Sequence, residues 1–418
     1  MLKRILKPAM LIGLVFVLVL GAVMVGCAQE VEVEGIVADY PDLKPLVDFV
    51  GEENLSVLNL VGFKAADRAM KDLRFKRGDM EVLALTDAGY IAKIGEYTTE
   101  KALDGVIMTS GLSRGKGNLA NLHKAYNQPL WFAFFDKESK HCIYLEAKSD
   151  ILEDYAGREK TDRDAVLRDF MKLKDEEIFT KISKENIDAD RLLNNPEAWQ
   201  EKMVAEVFGG NEFSIFTIAN LWAMGLPNDF LKAAELHDHI CPGLTSGYLI
   251  AKYVIEHFPP TGDPRNEYIV IAIPPWCKDD ALIQMFETNV GHKRLFVKGL
   301  TPSQMAKLTP AAKNVADIFI NTKTDKGIVV GFNWDKVYEG TKPEGVTLEE
   351  YRGWLRDFAG WGWWWTRLKM DLWMMDYLDK PEELVSTIME FDTTKEQTEK
   401  FTSAGVNPLV ELGLMQGG

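Results

Sequence analysis

The chemically richest stretch of the chain is Glu235-Leu236-His237-Asp238-His239-Ile240-Cys241-Pro242-Gly243, with two imidazoles and a thiol at alternate positions. The residues before it, Asn228 to Leu236, carry a helical pattern, and Pro242-Gly243 forces a turn before the apolar run Leu244 to His257. His237, His239 and Cys241 therefore occupy a joint between two predicted helices. If the joint is extended, alternate side chains share one side and all three groups converge. Cys241 would also open the second helix, where unpaired N–H groups and the helix dipole favour thiolate over thiol. A thiolate beside two imidazoles is either a soft-metal site or an activated nucleophile.

Cys277 follows the strand-like run Tyr268 to Ile273, and His292 comes fifteen residues later, with a helix predicted from Asp279 to Thr288. That helix would return both ends to one sheet edge, giving the candidate ligands His237, His239, Cys241, Cys277 and His292. Mixed thiolate and imidazole donors suit zinc best, with copper and iron as competitors. The spacing is not that of a zinc finger. Two other readings use the same residues. In one, Cys241 activated by His239 does thiol chemistry, or a metal-bound water is the nucleophile. In the other, Cys241 and Cys277 form a structural disulfide, the default for paired cysteines outside the cytoplasm, and the histidines cap a helix end. No hydrolase elbow, P-loop or dinucleotide fingerprint occurs, and Gly115-Lys116-Gly117 reads as a turn.

These residues need elements to position them. The chain has 418 residues with ample aromatic bulk and only 4 cysteines, so packing rather than disulfides must hold it together. Acidic residues outnumber basic ones 63 to 48, which excludes the basic footprint of a nucleic-acid binder. Residues 1–26 combine Lys3, Arg4 and Lys7 with an apolar run, as in an export signal ending at Cys27. Cys27 after Gly26 resembles a lipobox, so Cys27 is the expected lipidation site, and the membrane is the expected partner through that lipid. The competing reading is an uncleaved anchor.

Residues 27–40 read as a tether. An α+β domain is expected over 41–160, a helical connector over 161–225, a second α+β domain over 226–340 and a helical Trp-rich tail over 341–418, which holds Trp361 to Trp365 and Trp373. The second domain reads as a repeat of the first: Gly247 to Tyr253 lies against Gly62 to Arg68, and Gly291 to Leu295 against Gly115 to Leu119. Only the second copy gathers imidazole and thiol groups, so the first is read as degenerate.

His237-Asp238-His239-Ile240-Cys241-Pro242-Gly243, then Gly247, Cys277-Lys278-Asp279-Asp280-Ala281 and Gly291-His292-Lys293, resemble the FmdE family, which takes its name from formylmethanofuran dehydrogenase. The resemblance covers residues 226–335 well and 45–150 faintly. It implies an α+β fold and a metal, mainly zinc, near these histidines and cysteines. It does not imply the activity in the family name, because an export signal, a doubled domain and a Trp-rich tail depart from the cytoplasmic pattern. Location, soft ligands and the Trp and Met cluster together suggest capture of a metal or a small metal complex, such as a tetrapyrrole. A second copy of the chain is a further candidate partner.

Overall fold

A computed structural model describes residues 35–417, and the predicted export signal, Cys27 and most of the tether lie outside the described residues. The first half begins with helix α1 (Val57–Leu73), strand β1 (Val82–Thr86), helix α2 (Lys101–Ser110) and strand β2 (Leu119–Asn121). Strands β3 (Trp131–Asp136), β4 (His141–Ala147) and β5 (Phe179–Asn186) complete a five-stranded sheet in the order β2-β1-β3-β4-β5. Helices α3 (Glu212–Ala223) and α4 (Asn228–His237) lead to the second half.

There α5 (Pro242–His257), β6 (Tyr268–Ala272), α6 (Lys278–Phe286) and β7 (Leu295–Val297) precede β8 (Val315–Asn321) and β9 (Lys326–Phe332). Helix α7 (Gly362–Met374) and strand β10 (Val385–Asp392) follow. The second sheet has the order β7-β6-β8-β9-β10. The two sheets share one topology. In each, the first strand pairs in parallel with the second and antiparallel with the third, and the rest are antiparallel. Leu119 opposes Ala84 in the first parallel pair, as Leu295 opposes Val270 in the second.

The helix pairs also meet alike. A Cβ on Gly62 would lie 2.0 Å from the Ala102 carbonyl oxygen, and one on Gly247 would lie 2.3 Å from that of Lys278. Glycine is required at both crossings because the backbones touch.

The apolar runs in the strands are nearly continuous because both faces of each sheet are covered. Val82, Ala84, Phe132 and Phe134 pack under α1 and α2, while Leu83, Leu85, Trp131 and Ala133 face a central core. That core also holds α3 to α5 and the inner face of the second sheet, including Tyr268, Val270, Phe319 and Val330. Ile271, Ile318 and Val329, on the outer face, pack with Phe401 and Leu409 from the C-terminal end.

The architecture is α+β as expected, with two differences from the sequence reading. The expected helical connector contains β5, and the expected helical tail contains β10; both are edge strands. Edge strands carry polar and charged residues to discourage further pairing, as Lys181, Lys184 and Glu185 do here, and such composition mimics an exposed helix. The Trp-rich segment is largely core: Trp364 is fully buried, and Trp365 Nε1 donates to the Leu193 carbonyl at 2.8 Å.

Candidate metal centre

Helix α4 ends at His237, Asp238 takes a left-handed conformation with φ of 70°, and Cys241 is the N-cap of α5 with Pro242 in its first turn. One ligand atom from each of His237, His239 and Cys241 lies within 4.8 Å of the other two. Cys241 Sγ stands 3.7 Å from His237 Nε2. The joint is thus not simply extended: the left-handed turn at Asp238 brings the three groups together. Cys277 is the N-cap of α6. It packs against the first turn of α5, where a Cβ on Gly243 would fall 3.3 Å from its Sγ.

His292 is exposed and outside this group; its Nδ1 lies 3.2 Å from Asn289 Nδ2 and 3.3 Å from the Glu287 carbonyl. Its loop follows α6 but turns the imidazole onto its own backbone. Cys142, Cys241 and Cys277 are free thiols.

The electrostatics assign different roles to the two clustered cysteines from those expected. The Cys277 thiol is drawn down because Cys241 and His237 both hydrogen-bond its sulfur, which outweighs burial. Cys241 is pushed up by that same shared hydrogen bond and by complete burial. The favoured thiolate is therefore Cys277, and the imidazole beside Cys241 is His237 rather than His239. Burial alone would lower His237, yet its bonds to Asp280 and Cys277 hold it at about 9.

Both imidazoles are oriented by carboxylates. His237 Nδ1 lies 2.6 Å from Asp280 Oδ2, and His239 Nδ1 lies 2.9 Å from Asp238 Oδ1. A carboxylate on Nδ1–H fixes the tautomer that leaves Nε2 free to coordinate, the arrangement that supports histidine ligands in metal proteins. The donor chemistry fits a soft or borderline divalent metal, since two imidazole nitrogens and the Cys241 sulfur converge and Cys277 packs against the next turn of α5.

The loop itself is clamped from outside. Ser214 Oγ donates to Asp238 at 3.1 Å and Ile240 N–H donates to Thr217 Oγ1 at 3.1 Å, both from α3. The first half adds Lys124 Nζ, 2.8 Å from Asp238, and Arg114, 2.7 Å from the buried Glu235. Asp238 is held well below its ordinary range: burial would raise it, but His239 and Lys124 together more than offset that.

Residues 236–387 match the FmdE family, described as "FmdE, Molybdenum formylmethanofuran dehydrogenase operon". This part of the chain is an FmdE domain. No curated protein matches the chain. The FmdE domain takes in all of His237, His239, Cys241, Cys277 and His292, and it reaches into β10, well past the boundary at residue 340 drawn from sequence.

Sequence reasoning missed the residues around the FmdE cluster. Asp238 and Asp280 were open to inspection, being next to His239 and three residues after Cys277. Lys124, Ser214 and Thr217 gave no signal, because only the folded chain brings them to the loop. The same holds for Asp371 on α7, fully buried, whose Oδ1 accepts from Thr245 Oγ1 at 2.7 Å in the first turns of α5.

Proposed function

We propose that this is an exported, lipid-anchored protein whose FmdE domain holds one transition-metal ion, zinc by donor set, through His237, His239, Cys241 and Cys277. The observation that carries the reading is the pair of carboxylates on the two histidine Nδ1 atoms, because orienting both imidazoles serves coordination. Two nitrogen and two sulfur donors match a closed tetrahedral zinc site, which favours holding or handling a metal over metal-assisted hydrolysis. His237 and Asp280 also face a cavity, which supports an exchangeable ligand beside the metal. Cys27 is the proposed lipid attachment point, and no helix among the described residues is long and apolar enough to cross a membrane. The shared topology of the halves supports a duplicated unit of which only the second kept the ligands.

Elemental analysis of protein purified without added metal tests the metal reading. One zinc per chain is expected, and two per chain, or none, overturns it. Cys27→Ser should abolish lipid labelling and release soluble protein; a precursor-sized product retained in the membrane would show an uncleaved anchor instead.

A further inference from the structure

Cys277 is followed in the chain by a fully buried lysine. Lys278, the first residue of α6, donates through Nζ to Asp317 Oδ1 on β8 at 2.9 Å and to Asp279 Oδ1. Asp317 is also fully buried, and its Oδ2 has no hydrogen-bond partner among the described residues. Desolvating two such ions costs about as much as their attraction returns, so a well-packed apolar pair of similar size is commonly as stable or more so. Stability alone therefore does not account for this pair.

The first half shows that the fold does not need it. Ala102 meets Gly62 as Lys278 meets Gly247, so Ala102 corresponds to Lys278. Ala84 and Val270 correspond through their parallel partners, which aligns Thr86 with Ala272 and, opposite them, Phe132 with Asp317. Ala102 and Phe132 are buried and apolar, in the same topology and with the same helix crossing. The ions thus accompany the metal ligands, not the fold.

What they hold is the turn that carries Cys277. Asp279, fixed by Lys278, accepts the Trp276 N–H through Oδ2 at 3.2 Å, which brackets Cys277 between two bonded residues. The Lys278 ammonium also lies 4.4 Å from the centre of the Trp276 ring. Trp276 Nε1 donates to Ser246 Oγ at 3.1 Å, and Ser246 Oγ donates to the Gly243 carbonyl at 2.7 Å, in the turn that follows Cys241. Val61, Glu100 and Leu103 occupy the places of Ser246, Trp276 and Asp279 in the first half, so the network does not recur there. We propose that Lys278, paired with Asp317, is a positioning residue for the metal ligand Cys277, clamping its turn against the turn that carries Cys241. The inference rests on the metal reading and adds to it the part that sets where the second sulfur stands.

The test replaces the ions by apolar pairs in the full mature chain. Lys278→Ala with Asp317→Phe installs the residues of the first half, and Lys278→Met with Asp317→Leu is a second pair closer in size. Parent and variants are loaded with cobalt(II) as a spectroscopic probe of the site, and the metal-free proteins are melted. The metal-free melting temperature should equal that of the parent or exceed it. The cobalt–thiolate charge-transfer absorption should fall by about half, as one of two sulfurs leaves the metal, and zinc affinity in chelator competition should fall ~10- to 100-fold. If the first variant does not fold, the second decides. Unchanged absorption and affinity in a folded variant overturn the proposal, and so does a failure of both variants to fold, or a loss of metal that only follows a lower metal-free melting temperature. A parent that takes up no cobalt overturns the metal reading and this inference with it, whereas a parent and variants that bind equally well overturn the positioning role alone.

Discussion

The two helix starts that correspond across the halves share one N-cap conformation but not the turn that leads into it, which is left-handed at Asp238 in the second half and a 3-10 turn over Glu52–Asn54 in the first. Ser56, the N-cap of α1, has φ −141° and ψ 163°, and Cys241, the N-cap of α5, has φ −141° and ψ 162°. Counting back from the crossing glycines, Glu52 and Asn54 stand where His237 and His239 stand, and Lys101 stands where Cys277 stands. In the first half the Glu159 carboxylate accepts the Val57 N–H at the helix start, whereas the corresponding Pro242 of the second half has no N–H to give. Four side chains, together with the left-handed turn at Asp238 that a 3-10 turn over Glu52–Asn54 replaces, separate the cluster of the second half from the bare helix start of the first.

That contrast can be broken most sharply at the N-caps. Cys241→Ser should lower zinc content at least ~10-fold, while Ser56→Ala leaves it unchanged and costs about 1 kcal/mol of stability. Metal analysis with denaturant unfolding checks both, and full occupancy in the Cys241→Ser protein would sink the site assignment. Next in size, Asp280→Asn should weaken metal binding ~10- to 100-fold by releasing the His237 ring, measured by competition with a chelator.

The crossings come third. Gly247→Ala and Gly62→Ala should each destabilise by about 1–3 kcal/mol, because backbone oxygen cannot yield to a methyl group, but only Gly247→Ala should also lower zinc occupancy. Equal zinc loss in both would mean that the halves do not act separately.

The smallest effect concerns a buried carboxyl of the first half. Asp87 is pushed up to about 8 by burial, with Oδ1 accepting from the Trp131 N–H. Unfolded, it ionises near pH 4, so between about pH 4 and pH 8 the folded chain keeps a proton that the unfolded chain has lost, and stability falls as pH rises. Asp87→Asn should remove this slope. Relative to the parent it should gain stability steadily from pH 4 to pH 8 in thermal melts. A constant difference across that range would show that Asp87 does not titrate in the window.

The sequence exposed the cluster because its donors are close together: His237, His239 and Cys241 span five residues, and the α+β class followed from apolar periods that local chemistry sets. Cys277 could be added because a strand and a short helix were legible on either side of it. His292 failed by the same reasoning, since an element's end fixes where a loop begins but not where its side chains turn. The polar strands β5 and β10 were hidden for the reason edge strands usually are, their charged faces being indistinguishable from those of a surface helix. Lys124 on Asp238 could not be anticipated from either half alone, because it depends on how the halves dock.

The position of β10 along the chain has a bearing on the order of assembly. A ribosome releasing this polypeptide has supplied every strand of the first sheet once Asn186 is out, whereas the second sheet waits for Asp392, more than fifty residues after Phe332 ends its neighbour. Throughout that interval β9 presents an unpaired edge. A chain cut short after residue 340 would hold all five sequence-proposed ligands yet keep that edge open for good, so its expected fate is aggregation.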